Sequence, residues 1–143
     1  MQNITISEKQ TISLGKKIAR QIKSGTVLGL VGDLGAGKTQ FTKGLAQGFN
    51  IKNHITSPTF VLLKSYKISA NKNNLTNLIH LDCYRLSSPE ELLDLGWQEI
   101  INNPNNIIVV EWADRVKSIM PKNTQWLNFK LGKTTNQRLI NFK

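Results

Sequence analysis

The chain has 143 residues, a formal net charge of +10, ordinary hydrophobic content and few aromatics. That length fits one domain with a real core, so residues 1–143 read as a single unit. No stretch approaches the roughly 18 apolar residues of a membrane span. Met1–Ser7 shows no basic run followed by an apolar one, so no signal peptide is visible. Cys83 is the only cysteine, which excludes an internal disulfide and fits a reducing cytoplasm.

The charge is unevenly spread. Residues 1–81 carry 11 Lys/Arg against Glu8 and Asp33, residues 82–114 carry Arg85 against seven acids, and residues 115–143 carry seven bases and no acid. A basic body around one acidic segment can attract RNA or an acidic protein. Fifteen Lys against four Arg fits compositional bias equally well. No aromatic-interleaved basic stripe appears.

In chain order, Asn3–Ile6 alternates polar and apolar side chains and predicts a short strand. Ser7 is placed to cap a helix, with Gln10 as its capping-box partner. Ile12, Leu14, Ile18, Ala19 and Ile22 mark the buried stripe of that helix, which should stop at Ser24-Gly25. Thr11 lies in its first turn.

Thr26–Val31 reads as a buried strand and Thr39–Phe49 as a helix with Phe41, Leu45 and Phe49 at helical spacing. Between them Gly32-Asp33-Leu34-Gly35-Ala36-Gly37-Lys38-Thr39 satisfies G-x-x-x-x-G-K-[ST], the phosphate-binding loop of nucleoside-triphosphate enzymes. The chemistry explains the residue types. Glycines let the backbone curl and aim N–H groups at phosphate oxygens. Lys38 supplies a point charge for the outer phosphates, and the Thr39 hydroxyl suits Mg²⁺. The helix opening at Lys38 adds unpaired N–H groups and a positive dipole end.

Ser57-Pro58-Thr59-Phe60 is a proline-defined segment whose hydroxyls could sense a γ-phosphate, as switch loops do. Val61–Ile68 and Leu78–Leu81 predict two strands whose short connection implies an antiparallel pairing and hence a mixed sheet. Asn71-Lys72-Asn73-Asn74 misses the guanine-recognition pattern N-K-x-D at its last position, which argues against a GTPase.

The second of these strands leads into His80-Leu81-Asp82-Cys83-Tyr84-Arg85. An acid at such a strand end can hold Mg²⁺ through water or position the attacking group. His80 has no second metal ligand near it in sequence and reads as structural, and Cys83 reads as a small buried residue. Ser88-Pro89-Glu90-Glu91 predicts a helix start with Ser88 as cap. Ile107–Trp112 is a continuous apolar strand ending in Glu111, the Walker-B pattern, in which the carboxylate approaches Mg²⁺ opposite the loop threonine. Trp126–Leu131 and Arg138–Phe142 read as closing strands, with Arg115 and Arg138 as candidates to approach the nucleotide.

The series Gly-Asp-Leu-Gly-Ala-Gly-Lys-Thr at 32–39, Ser-Pro-Thr-Phe at 57–60, Leu-Asp-x-Tyr-Arg-Leu at 81–86, Pro-Glu-Glu-Leu at 89–92 and Val-Glu-Trp at 110–112 resembles the bacterial TsaE (YjeE) family over nearly the whole chain. The resemblance implies an α/β fold, a P-loop NTPase-like three-layer sandwich around a mixed sheet. It implies an ATPase, weak alone, required for threonylcarbamoyladenosine formation in tRNAs reading codons that start with A. TsaD and TsaB are its implied partners, TsaC supplies the threonylcarbamoyl-adenylate, and tRNA is met directly or through the complex. The implied cofactors are ATP and Mg²⁺. Lys38 and the amides of Asp33, Leu34, Gly35, Ala36 and Gly37 would bind phosphates, and Thr39 and Glu111 would ligate the metal. Asp82 would take the catalytic or water-positioning role and Thr59 the switch-like role. Trp112 would shape the site, Thr11 would line the adenine pocket, and Arg138 would approach the nucleotide. A small-molecule kinase and a nucleotide-gated tRNA-binding module stay open as alternatives. The first would need a basic lid that arginines at only 20, 85, 115 and 138 do not supply.

Overall fold

β-Strand formation in this chain follows its apolar runs. The computed structural model describes residues 1–56, 62–69, 75 and 77–143. Among these, β1 (Gln2–Thr5), β2 (Val27–Val31), β3 (Leu63–Lys67), β4 (Asn77–Asp82), β5 (Asn106–Glu111), β6 (Gln125–Leu131) and β7 (Arg138–Phe142) form one sheet ordered β1-β7-β6-β2-β5-β4-β3. β2 lies between β5 and β6 and is parallel to both, and β4 is parallel to β5. β3 pairs antiparallel with β4, and β7 pairs antiparallel with β6 and β1. The mixed sheet expected from the short 69–77 connection is therefore present. The central strands are largely apolar, with their acids at the carboxyl ends of β4 and β5, because helices cover both faces.

The helices α1 (Glu8–Ala19) and α2 (Lys38–Gly48) cover one face, against Leu28, Leu30, Leu78, Ile107, Val109 and Leu127. The short helices α3 (Glu90–Asp94) and α4 (Trp97–Asn102), with a 3₁₀ segment at Ala113–Ile119, cover the other. There Leu92, Trp97, Ala113 and Val116 pack on Val27, Ile79, Leu81, Ile108 and Val110. The strand period of two sends alternate residues to these two cores and gives the three layers.

Ser7 accepts the Gln10 amide at 3.2 Å, as its capping role requires. The Gln10 carboxamide answers one residue earlier than a capping box would have it, accepting from Ile6 N–H at 2.9 Å. α1 ends at Ala19 rather than at Ser24, and Ile22 enters the core from the turn that follows. α3 begins one residue later than predicted. Ser88 makes no side-chain cap, and the Glu91 carboxylate instead accepts the Ser87 N–H at 3.1 Å.

α1 and α2 cross through facing glycines. A Cβ on Gly44 would overlap the Ile12 carbonyl oxygen and lie 2.9 Å from Gly15 Cα, and one on Gly15 would overlap Phe41 O. Both obstacles are backbone, so no rotamer change relieves them. Gly44→Ala gains about 1 kcal/mol of helix propensity but meets an overpacking cost of about 1–3 kcal/mol. The clash should win. The urea midpoint of Gly44→Ala should fall with m unchanged.

Candidate functional site

The loop 32–39 leaves the carboxyl end of β2, which lies between β5 and β6, with β3–β5 filling the sheet on one side and β6, β7 and β1 on the other, the kind of switch point at which open α/β sheets form ligand crevices. Gly35 (φ 76°) and Gly37 (φ 101°, ψ 9°) take left-handed conformations that a side chain would strain. With the Ala36 N–H on Asp33 O at 3.1 Å, they curl the loop over the start of α2. That helix begins at Lys38 with no side-chain cap, so its first N–H groups are left for an anion.

β4 and β5 deliver two acids to the same place. Their parallel register sets Asp82 beside Glu111 and His80 beside Val109, so all three functional side chains face α2. The Thr39 hydroxyl donates to Glu111 at 3.1 Å (Oε1) and 3.2 Å (Oε2), joining residues 72 apart in sequence. A hydroxyl and a carboxylate make an oxygen pair that suits a hard divalent cation such as Mg²⁺. Among the described residues no group of three His, Cys, Asp or Glu stands ready to hold a metal. A cation here would draw its remaining ligands from water and from an anion on the loop.

Lys38 is buried and donates to the carbonyl oxygens of Gly32 and, at 2.9 Å, Asp33. Its ammonium also lies 4.2 Å from the Trp112 ring centre, a cation–π contact. Burial lowers the Lys38 pKa, with Glu111, Asp82, Asp33 and Asp114 opposing that shift. Trp112 holds this place at a conformational cost. Its backbone is left-handed (φ 57°, ψ 39°), which for a bulky residue costs of order 1–3 kcal/mol. The turn swings the chain from β5 into the 3₁₀ segment and lays the indole under Lys38. Tyr84 packs on Trp112 with ring centres 4.8 Å apart, and the Arg115 guanidinium lies 5.3 Å from the Tyr84 ring. Asp82 is buried and accepts the Tyr84 N–H at 2.9 Å.

A cavity of about 570 Å³ joins these parts, a size within the range of small-ligand sites. Leu34, Gly35, Ala36, Gly37, Lys38, Thr39, Asp82, Glu111, Trp112, Thr11 and Arg138 all line it. Asp33 does not; its carbonyl is taken by Lys38. Thr59 and the 71–74 near miss lie outside the described residues.

Thr11 is buried, with its hydroxyl 2.8 Å from that of Thr5. Arg138 is a brace as much as a ligand-facing group, since its Nε donates to Gly35 O at 2.9 Å and its Nη1 to Thr135 O at 2.7 Å. Arg138→Ala should weaken nucleotide binding by about three- to tenfold through a looser loop. Fluorescent-ADP titration measures this, and the melting temperature should barely move. Cys83 is buried, and burial with the Asp82 and Asp114 charges pushes its thiol up to about 12. It is a packed side chain, not a nucleophile.

The model of the family described as threonylcarbamoyl adenosine biosynthesis protein TsaE matches residues 5–140 of this chain. The chain belongs to the TsaE family. Its relatives include TsaE of Treponema pallidum (38% identity over 131 residues, 92% of both chains) and TsaE of Rickettsia typhi (38% over 138 residues, 96% of this chain and 90% of the other). TsaE of Bacillus subtilis is 38% identical over 118 residues, 82% of this chain and 70% of its own. A crystal structure of Bacillus subtilis YdiB superposes with a TM-score of 0.76 at 30% identity, covering 99% of this chain and 83% of that one. The sandwich and mixed sheet described above are thus shared with a solved relative. Membership in TsaE places this chain in tRNA threonylcarbamoyladenosine biosynthesis.

The sequence reading missed Tyr84, Asn136 and the role of His80. Tyr84 and Asn136 line the cavity, and His80 bonds Glu111 at 2.8 Å. For His80 a signal existed: it stands two residues before Asp82 on a strand, hence on the same face. Asn136 sits in the turn between β6 and β7, where only the folded chain brings it to the loop.

Proposed function

We propose that this chain is an Mg²⁺-dependent ATPase, converting ATP to ADP and phosphate, that serves threonylcarbamoyladenosine formation with a TsaB–TsaD complex. The observation that carries this reading is the meeting of Thr39 with Glu111 beside Lys38. The loop amides and the start of α2 hold the phosphates. Lys38 exchanges the carbonyls of Gly32 and Asp33 for phosphate oxygens. Thr39 and Glu111 would hold the cation, which would supply positive charge to the bound phosphates. Asp82 orients the attacking water, and Thr59 serves as the γ-phosphate sensor. Thr11 borders the adenine end. Hydrolysis rests on positioning and electrostatic stabilisation, with no covalent intermediate.

Slow turnover alone is part of this reading, and two arginines near the site are already engaged. Arg138 is tied to the loop backbone and Arg115 is stacked on Tyr84 and Trp112. A group from the partner would complete the site, as an arginine finger does. tRNA is met directly or through that complex. ATP turnover measured with and without TsaB–TsaD tests the proposal. Stimulation lost in Lys38→Ala is the expected result; no stimulation, with the variant as active as the parent, would overturn it.

A further inference from the structure

His80 is fully buried, and its Nε2 lies 2.8 Å from Glu111 Oε1. Among the described residues its Nδ1 has no hydrogen-bond partner. A buried N–H without an acceptor is costly, so the ring's proton belongs on Nε2 and is donated to the carboxylate. Glu111 is itself buried, so its carboxylate oxygens need hydrogen-bond donors from the protein. The two oxygens are not equivalent. Oε1 accepts from both His80 and Thr39, whereas among the described residues Oε2 accepts from Thr39 alone, at 3.2 Å.

We propose that His80 is a positioning residue: its Nε2–H pins Glu111 Oε1, turns Oε2 and its spare lone pairs toward the cation site beside Thr39, and so sets metal affinity. This rests on reading Glu111 as the carboxylate that faces the cation. The strands make the arrangement possible. β4 sends His80 and Asp82 to one face two residues apart, and β5 supplies Glu111 level with Asp82. His80 therefore reaches Glu111 from one step deeper in the sheet, behind the metal-facing edge. Loss of an outer partner that orients a metal ligand typically costs about 10- to 100-fold in metal affinity.

The test uses the full chain with Mn²⁺ and ADP as probes. Mn²⁺ affinity in the presence of ADP is read by electron paramagnetic resonance, and ADP affinity without metal is read by calorimetry. Glutamine carries an amide donor at about the reach of Nε2, and asparagine at about the reach of Nδ1. His80→Asn and His80→Leu should weaken Mn²⁺ by about 10- to 100-fold and leave metal-free ADP affinity within about twofold. His80→Gln should restore Mn²⁺ affinity to within about threefold of the parent. Unchanged Mn²⁺ affinity in His80→Asn and His80→Leu would overturn the proposal, as would Gln failing alongside them. A parent that takes up no Mn²⁺ with ADP would overturn the nucleotide reading, and this inference with it. Should the variants not fold, ¹⁵N-histidine NMR of the unaltered protein decides. An exchange-protected Nε2–H that shifts on adding Mn²⁺-free Mg·ADP supports the assignment, and a proton on Nδ1 sinks it.

Discussion

In Lys38→Ala, ATP affinity should fall about 10- to 100-fold, the worth of charge-assisted hydrogen bonds at roughly 1.5–3 kcal/mol. Turnover should fall by at least about 100-fold, because this charge also acts on the oxygens where negative charge develops. The same side chain ties the loop to itself through Gly32 O and Asp33 O, so part of the loss is a less ordered loop. Lys38→Arg should not rescue. Its planar fork does not match a point charge set between two carbonyls and an indole. The pH dependence has a defined sign. Burial lowers the Lys38 pKa from the usual 10.5, and only the ammonium form attracts phosphate. ATP affinity should decline as pH rises through this lowered value, earlier than an ordinary lysine would dictate. A binding curve flat to the pH where exposed lysines titrate would contradict this.

The metal contacts predict a ranking. Thr39→Ala and Glu111→Ala should erase most of the Mg²⁺-dependent gain in ATP affinity, about tenfold or more, while Asp82→Ala should keep it and lose turnover instead. The geometry gives the reason. Thr39 and Glu111 already touch, whereas Asp82 spends an oxygen on the Tyr84 amide and stands one strand further out. Calorimetry with ATP, with and without Mg²⁺, reads the order directly. A larger metal-dependent loss in Asp82→Ala would mean that the two acids have been assigned the wrong way round.

Much of the site was legible before any fold was in hand. The loop and the apolar strand ending at Glu111 are local patterns, with side chains whose roles follow from spacing. β6 and β7 were read nearly to the residue because each is a short run rich in apolar side chains, the two separated by the polar turn 132–137. What escaped was of two kinds. α4 and the 3₁₀ segment are too short to show a helical period, although Trp97 is fully buried. Long-range pairings left little local trace: Arg138 reaching Gly35 across 103 residues left none, and His80 meeting Glu111 across 31 left only the strand face it shares with Asp82. The left-handed turn at Trp112 is invisible for another reason, since residue type argues against it. Only the surrounding contacts hold it there.

The pairing of β4 with β5 has a consequence for how this chain can change. Asp82, Glu111 and His80 owe their mutual distances to a ladder of main-chain bonds, with Asn77 opposite Asn106 at one end and Asp82 opposite Glu111 at the other. The sheet works as a ruler. Adding or removing one residue inside either strand would turn every later side chain to the opposite face, exchanging Asp82 for Leu81 or Glu111 for Val110. Length is therefore frozen within these two strands, while the turns that join them elsewhere are free to grow or shrink. The chemistry is spelled by few letters, but it is kept in phase by the backbone.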